Sequence, residues 1–309
     1  MLEITSDIFH ATVIKGFQQK QRVIPCKFLY DKIGSQLFSK ICHVPEYYIP
    51  QIEKDLLSKN IHEIADLAGN NLVLVELGSG NCAKTRILLD ALNISSYIPI
   101  DISKEDLLET AEMIRSEYKD INIQPFCTDY TMPFTLPLKK ENNLIYFSGS
   151  SISNFEPHEI LNFLNNIHDI LTPQGKLLIS VDLKKDKEIL HAAYNDAQNV
   201  TAEFNLNLLA RMNRELNANF DLKQFSHHAF YNEERARIEM HLISTNDQNI
   251  EINGQAFFFK KGESIHTENS YKYTIEEFIY LLDLAGFELH HTWTDPKQWF
   301  SMHLVSAKT

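Results

Sequence analysis

A pair of glycines directly after an apolar run is the strongest chemical signal in the sequence. Residues 72–77 read LVLVEL and are followed at once by Gly78, Ser79 and Gly80. A strand, a glycine turn and then a helix allow the backbone to approach a ligand closely at the carboxyl edge of a parallel sheet. The G-x-G spacing has Ala83 at the third position, where glycine or alanine is permitted. The stretch predicts a cofactor loop, with a tight structural turn as the alternative.

An acidic residue completes this signal. Asp101 ends a second apolar run, 97–100, in the segment after the predicted helix that begins at Ala83. A carboxylate at the end of the second strand is placed to accept both hydroxyls of a ribose. By itself Asp101 could equally cap a helix, but together with the glycine loop it favours an adenosine-containing cofactor.

Composition and charge restrict the partners. The chain has 309 residues, and its 44% apolar and 23% charged residues are typical of a folded globular protein. The 29 basic and 41 acidic residues give a net charge of −12, without a basic block. Binding to nucleic acid depends on neutralising phosphates, so a small-molecule substrate is favoured over a nucleic-acid partner.

The cysteines and the amino terminus bear on the compartment. The four cysteines are widely spaced and form no C-x-x-C pair, which favours reduced and mostly buried thiols. The first ten residues, MLEITSDIFH, lack a basic segment followed by an apolar one, and no run of about 18 apolar residues occurs. We expect a cytoplasmic monomer with no membrane partner.

Strand-like and helical segments alternate through much of the chain. A helix over 51–68 and another over 157–171 flank or separate the strand-like runs, which are 72–77, 97–100, 121–126, 144–148 and 176–181. A capping box at Thr274 and Glu277 opens a further helix, and two strands, 287–294 and 299–307, follow it. This order predicts an α/β fold, a doubly wound parallel sheet finished by an antiparallel hairpin.

One region interrupts that alternation. Residues 184–221 read as a long helical segment, and 236–244 and 250–260 read as antiparallel strands around a turn at 246–249. These elements predict a second, mixed α+β unit. Within the same region the polar stretch HTENS, 266–270, is by itself typical of a solvated loop.

Several distinctive blocks follow one another over nearly the whole chain, among them YDKIGSQLF, VELGSGNCAKTR, PIDIS, FSGSSISNF, AAYNDAQNVTAEF, IEMHL and GESIHTENSYKY. Taken together and in this order, the blocks resemble the S-adenosylmethionine-dependent, histidine-specific methyltransferase family. The resemblance implies a class I methyltransferase domain with a Rossmann-like sheet, over 52–183 and 273–309. It also implies a smaller α+β substrate-binding domain, over 1–51 and 184–272.

The resemblance also implies the residues of both binding sites. The positions that match the cofactor site are Gly78, Ser79, Gly80, Lys84, Asp101, Asp129 and Tyr130. The positions that match the substrate site are Tyr30, Tyr47, Asn154, Tyr194, Met240, Glu268 and Ser270. In this reading the three tyrosines and the asparagine surround an amino-acid backbone, while Glu268 and Ser270 hold an imidazole next to Met240.

Several of these residues also have a purely structural interpretation. Lys84 could be an ordinary first-turn helix residue, Asn154 could cap the helix that starts at Pro157, and single tyrosines are more often packing residues. Ser153 stands where we expect glycine in the family, which predicts crowding beside Asn154. No metal site is expected, because the two adjacent histidine pairs, 227–228 and 290–291, would point to opposite strand faces.

The reaction that the resemblance implies is three successive methyl transfers to the α-amine of L-histidine. The products are hercynine, a precursor of ergothioneine, and S-adenosylhomocysteine. Because a protonated amine cannot attack, Tyr30 or Asn154, with a bound water, is expected to accept its proton. The alternatives are a methyltransferase for another aromatic amino acid, such as tryptophan, and an inactive regulator that binds S-adenosylmethionine.

Overall fold

The computed structural model describes residues 6–80, 82, 84–136 and 142–308. They divide into two compact units. Unit 1 contains Ile49–Lys184 and residues 272–308, and unit 2 contains the residues up to Tyr48 together with Lys185–Tyr271. Within the described ranges, no helix has the length and apolar character needed to cross a membrane.

The described residues form nine α-helices, three short 3₁₀ helices and fourteen strands. The α-helices are α1 (Ser6–Phe17), α2 (Lys32–Ile41), α3 (Ile49–Ala68), α4 (Thr85–Ala91), α5 (Lys104–Glu117), α6 (Pro157–Ile170), α7 (Lys187–Tyr194), α8 (Val200–Glu215) and α9 (Ile275–Leu284). The 3₁₀ helices are Cys26–Leu29, Ser151–Asn154 and Leu222–Gln224. The strands are β1 (Arg22–Val23), β2 (Leu72–Leu77), β3 (Ile94–Asp101), β4 (Asn122–Ile123), β5 (Phe126–Cys127), β6 (Asn142–Phe147), β7 (Lys176–Asp182), β8 (Phe225–Asn232), β9 (Arg237–Ser244), β10 (Gln248–Ile252), β11 (Gln255–Phe259), β12 (Ser264–Tyr271), β13 (Phe287–Thr294) and β14 (Phe300–Ala307).

Unit 1 is built on one sheet with the strand order β13-β14-β7-β6-β2-β3-β4, in which β5 also pairs with β3. The neighbouring strands β7, β6, β2 and β3 pair in parallel, and β4 and β5 each pair in parallel with β3. Strand β14 runs antiparallel to both β7 and β13. Every residue of β2 is buried, as expected for a strand covered on both faces. The predicted doubly wound sheet with a terminal antiparallel hairpin is confirmed.

Two predicted elements of the chain are broken in the structure. The strand predicted over 121–126 consists of two separate two-residue strands, β4 and β5. The long helix predicted over 184–221 is two helices, α7 and α8, because Asp196 accepts hydrogen bonds from the backbone N–H groups of Val200 and Thr201, both at 2.8 Å. The N-cap residue of α8 is Asn199, and the Asp196 carboxylate satisfies the first two N–H groups of this helix.

Unit 2 contains a four-stranded sheet with the order β1-β12-β9-β8 and a separate hairpin of β10 and β11. The predicted pairing of 236–244 with 250–260 is wrong, because the second segment folds back on itself at Asn253 and Gly254. Both residues have positive φ, 47° and 81°, as an Asn-Gly hairpin turn requires. The loop predicted for HTENS is also wrong, since these residues lie within β12.

The thiols differ in part from expectation. The four cysteines all lie among the described residues and form no disulfide there, but only Cys82 is buried, and the other three are half-buried. Burial raises the pKa of the Cys82 thiol to about 12, so this thiol stays protonated at neutral pH.

The core of unit 1 contains a histidine that should make stability depend on pH. His303 of β14 is fully buried, and burial lowers its pKa to about 3. The unfolded chain would titrate this group near pH 6.5, so between about pH 3 and 6.5 unfolding takes up about one more proton at this site. Its contribution to stability is therefore complete above pH 6.5 and is lost as the pH falls through that range.

We expect the variant H303Q to lose part of the acid sensitivity of the wild type. Urea unfolding at pH 7, 6 and 5 should give a smaller fall in the free energy of unfolding for the variant than for the wild type. H290Q is the control, since His290 is exposed on the neighbouring strand β13. Identical slopes for wild type and H303Q would contradict the assignment.

Candidate active site

The predicted cofactor loop follows β2 directly. Gly78 and Gly80 have φ of 71° and 49°, the left-handed region that favours glycine. A Cβ atom on Gly78 would lie 3.6 Å from the Tyr130 ring, so this ring lies against the loop. Ser79 is buried, and its Oγ has no hydrogen-bond partner among the described residues. Ala83 lies outside the described residues.

The end of β3 comes to the same place. Asp101 accepts hydrogen bonds from the backbone N–H groups of Gly80, at 3.4 Å, and Ser103, at 3.0 Å. Burial raises the pKa of its carboxyl group, against the lowering effect of these two N–H groups. The structure therefore brings the predicted ribose-binding carboxylate to the edge of the glycine loop.

The predicted adenine-binding residues follow β5. Asp129 is buried, and its Oδ1 accepts from the backbone N and Oγ1 of Thr131, at 3.0 and 2.5 Å. Tyr130 makes edge contacts with Phe147 and Phe163, at 5.5 and 6.3 Å between ring centroids. Its contact with Gly78 therefore links this segment to the glycine loop and to the end of β6.

Sequence reasoning missed one buried carboxylate of this region. Glu53 of α3 is fully buried and forms an ion pair with Lys84. Its side chain also accepts from the backbone N of Gly149, at 3.0 Å, and from Ser180 Oγ, at 2.5 Å. A single carboxylate thus joins the segment after the glycine loop to the end of β6 and to β7. The sequence does contain a pattern that indicates the burial of Glu53, because this residue lies three and four positions before Leu56 and Leu57 on the apolar face of α3.

A second buried carboxylate lies beneath the loop. Glu76 of β2 accepts from Thr85 Oγ1, at 2.7 Å, and from the Tyr97 hydroxyl. Burial raises its pKa to about 7, although both hydrogen bonds oppose the shift. Its carboxylate therefore holds β2, β3 and the first turn of α4 together.

The segment after β6 carries Asn154. This residue is half-buried and ends the 3₁₀ helix Ser151–Asn154. It does not cap α6, whose N-cap is Glu156 in a capping box. The Ser153 side chain is buried, and its Oγ lies 2.6 Å from Ser150 Oγ. Ser150 Oγ in turn accepts from the backbone N of Asp182. The Ser153 hydroxyl, which was predicted to crowd Asn154, therefore has a hydrogen-bond partner.

Unit 2 gathers the predicted tyrosines. The rings of Tyr47 and Tyr194 lie edge to face at 5.9 Å, and Tyr30 packs against Phe38 and Phe204, at 5.3 and 5.4 Å. Burial, then the neighbouring Tyr194, raises the pKa of the Tyr47 hydroxyl well above its usual value. Tyr47 is therefore a neutral hydrogen-bonding group at physiological pH.

The strands β9 and β12 supply the rest of the predicted substrate site. Glu268 is paired with Met240, and Ser270 with Ile238, so these four side chains share one face of the sheet. The Tyr194 hydroxyl donates to Ser270 Oγ at 2.8 Å, and Glu268 is close enough to Tyr47 to contribute to its raised pKa. Unit 2 therefore brings the six predicted substrate residues other than Asn154 into one cluster.

Comparison with known proteins identifies the family. Residues 9–307 match the family model described as histidine-specific, SAM-dependent methyltransferase. Histidine N-alpha-methyltransferase of Mycolicibacterium smegmatis is 38% identical over 296 residues, which cover 94% of this chain and 92% of that protein. The protein of the same name from Mycobacterium tuberculosis is 36% identical over 300 residues, covering 95% and 93%.

A longer relative and a solved structure extend the comparison. Ergothioneine biosynthesis protein 1 of Neurospora crassa is 30% identical over 298 residues, although these span only 33% of that protein. A SAM-dependent methyltransferase from Clostridium acetobutylicum has a similar fold, with a TM-score of 0.50, 13% identity, and coverage of 82% of this chain and 92% of that one. The predicted class I fold, cofactor and enzyme class are confirmed, and the chain belongs to the SAM-dependent, histidine-specific methyltransferase family.

Proposed function

We propose that this enzyme transfers three methyl groups in succession from S-adenosylmethionine to the α-amine of L-histidine. The products would be hercynine, for ergothioneine biosynthesis, and S-adenosylhomocysteine. The observation that carries the proposal is the shared face of Glu268, Ser270 and Met240, with Tyr194 bonded to Ser270. The names of the relatives point to the same substrate.

Unit 1 provides the groups that a nucleoside cofactor needs, and we assign residues 52–183 and 273–309 to the methyltransferase domain. The unsatisfied Ser79 Oγ and the open space around Gly80 fit a ligand at the loop. Asp101 would accept the ribose hydroxyls, and Asp129 would accept the adenine amino group beside Tyr130. S-adenosylmethionine supplies a methyl group bound to a positively charged sulfur.

Lys84 stays in the proposed cofactor set. Its ammonium pairs with Glu53 and lies 3.8 Å from the position of a Cβ atom on Gly149. This pairing fixes the ammonium at the carboxyl edge of the sheet, where it could donate a further hydrogen bond to a negatively charged group of a ligand.

We assign residues 1–51 and 184–272, a range that includes the described residues of unit 2, to the substrate-binding domain. The Glu268 carboxylate would accept the imidazole N–H of histidine. A hydroxyl can accept and donate at once, so Ser270, which accepts from Tyr194, can donate its own proton to the other ring nitrogen. The buried Met240 would pack against the ring.

The remaining polar groups would orient the amino-acid backbone. The raised pKa of Tyr47 keeps its proton in place, so it can donate a hydrogen bond to a carboxylate but cannot act as a base. Tyr30 or Asn154, with a water molecule, would take the proton that the α-amine must lose before attack. Holding the amine in line with the methyl group supplies much of the rate of such a transfer.

Mass spectrometry of the purified protein incubated with S-adenosylmethionine and each of histidine, tryptophan and tyrosine tests the proposal. We expect a gain of three methyl groups on histidine alone. Methylation of tryptophan or tyrosine instead of histidine would show that the substrate is another aromatic amino acid. Binding of S-adenosylhomocysteine without any methylation would favour a regulator.

The variant D101N should weaken cofactor binding. An amide accepts hydroxyl hydrogen bonds less strongly than a carboxylate, and we expect the affinity for S-adenosylhomocysteine to fall about tenfold. Isothermal titration calorimetry measures this change. D106N is the control, since Asp106 lies on the neighbouring helix α5 and accepts a hydrogen bond from Ser103 Oγ. Equal affinities for the wild type and D101N would exclude Asp101 from the ribose site.

A further inference from the structure

The ladder between β9 and β12 contains a β-bulge beside the proposed imidazole site. His266 is paired with His241, and Glu268 is paired with Met240, so Thr267 is an extra residue without a counterpart on β9. Because neighbouring residues of β9 face opposite sides of the sheet, His266 and Glu268 also face opposite sides.

The bulge decides which face Glu268 occupies. A regular ladder continuing from the pair of His266 and His241 would place Glu268 opposite Glu239, so that two carboxylates would share one face. The observed register instead pairs Asn269 with Glu239 and leaves Glu268 and Ser270 on the face of Met240. A shift of one residue in a strand exchanges its two faces, so the bulge is required for the proposed substrate site.

Two side chains hold the bulge through backbone carbonyls. Thr267 Oγ1 donates to the carbonyl of Met240 at 3.1 Å, and His266 Nε2 lies 3.0 Å from the carbonyl of Glu268. Both side chains are buried, with exposed fractions of 1% and 8%. Since a carbonyl oxygen only accepts, the hydrogen must be on His266 Nε2, and each bond satisfies a carbonyl at the interruption of the ladder.

The neighbours of His266 keep its ring in this position. The ring stacks on His241 with centroids 4.5 Å apart and planes 8° apart. His241 Nε2 lies 3.2 Å from Glu239 Oε2. The other oxygen of this carboxylate, Oε1, accepts a hydrogen bond from Arg237 Nε at 2.8 Å. Burial lowers the pKa of His266 to about 4, so at neutral pH it has one N–H, which is used for the carbonyl of Glu268.

A further group of side chains, which was not predicted from the sequence, lies on the other face of the same strands. This group consists of Glu239, His241 and His266, on the opposite face of the sheet from Glu268. One side-chain nitrogen or oxygen atom from each residue lies within 4.8 Å of those of the other two. The guanidinium of Arg237 already places a positive charge beside Glu239, and the rings of His241 and His266 are stacked on each other with their planes 8° apart. We therefore interpret the group as support for the strand rather than as a metal site.

We propose that Thr267 and His266 are positioning residues for the binding of histidine by this enzyme, because they hold the bulge that turns Glu268 and Ser270 toward the imidazole of the substrate. This inference rests on the proposed function. Neither residue touches the substrate in this proposal, and both act through the backbone of β12.

The experiment compares four variants by steady-state kinetics with histidine and by calorimetry with S-adenosylhomocysteine. T267V keeps the shape of the side chain and removes its hydroxyl, H266L removes the ring N–H, and H266Q keeps a donor. T245V is the matched control, because Thr245 Oγ1 donates to the backbone carbonyl of Gln224, at 3.0 Å, elsewhere in unit 2.

We expect T267V and H266L to raise the KM for histidine about tenfold, because loss of a buried hydrogen bond frees the strand to change register. H266Q should restore most of the affinity for histidine, and T245V should match the wild type. All four variants should bind S-adenosylhomocysteine as the wild type does. A variant that had lost folded protein would instead lose binding of S-adenosylhomocysteine as well.

The outcomes separate this inference from the proposed function. If the wild type does not methylate histidine, the proposed function fails and the inference fails with it. If the wild type does so and T267V and H266L have the KM of T245V, only the inference is overturned. A KM for H266Q no better than that of H266L would also overturn the role of the His266 N–H.

Discussion

Replacing Glu268 with alanine is expected to reduce kcat/KM for histidine by about two orders of magnitude, because a site built to bind an N–H discriminates strongly when its acceptor is lost. The loss should appear mainly in the KM for histidine. Affinity for S-adenosylhomocysteine should stay within about twofold, since the proposed cofactor residues belong to the other unit. Steady-state kinetics and calorimetry on the same preparations measure both quantities.

Two further variants make this result specific. E268Q keeps a carbonyl oxygen as acceptor and should lie between the wild type and E268A. E263Q is the control, because Glu263 precedes β12 and pairs with Arg22 at the surface. Equal loss of histidine use and cofactor affinity in E268A would contradict the assigned role.

The second large effect is expected at Glu53, where alanine should lower the free energy of unfolding by about 3–5 kcal/mol, the usual result of breaking a buried ion pair. The substitution removes the partner of Lys84 and also leaves the backbone N of Gly149 and Ser180 Oγ without their acceptor. Urea unfolding at pH 7 gives the change directly.

A double-mutant cycle shows whether the ion pair causes the loss. We expect E53A combined with K84M to be less destabilised than the sum of the two single variants, by at least about 1 kcal/mol, because no unpaired charge remains. D55N, on the exposed face of the same helix, should stay within about 0.5 kcal/mol of the wild type. Strict additivity would show that Lys84 does not compensate Glu53.

The sheet of unit 1 could be predicted from sequence because its signal is local. Strands covered on both faces are continuous apolar runs, and β2 was predicted over its observed range. The capping box of Thr274 and Glu277 is also a local signal, and α9 begins there as predicted. Strand pairing followed from the alternation with helices.

Strand β12 could not be recognised by the same signals. Its residues HTENS are polar because one face contacts the tyrosine cluster and the other the group around Glu239. The extra residue Thr267 also breaks the alternation of faces that a pattern search would use. Only the family resemblance pointed to Glu268 and Ser270, and it did not predict the strand.

Glu53 was missed for a different reason. A helix is usually interpreted through its apolar residues, and an acidic residue among them is taken as an interruption. Here the carboxylate is buried because three donors from distant parts of the chain satisfy it, and those donors come together only in the folded sheet.

The strand order of unit 1 has a consequence for synthesis on the ribosome. The edge of β7 that faces away from β6 is paired with β14, and residues 183–299 separate these two strands along the chain. Translation from one strand to the other takes on the order of 10 s, and during this time an apolar strand has one edge unpaired. Because such an edge can pair with other chains, nascent polypeptides are expected to be most prone to aggregate, and to need chaperones most, before β14 emerges.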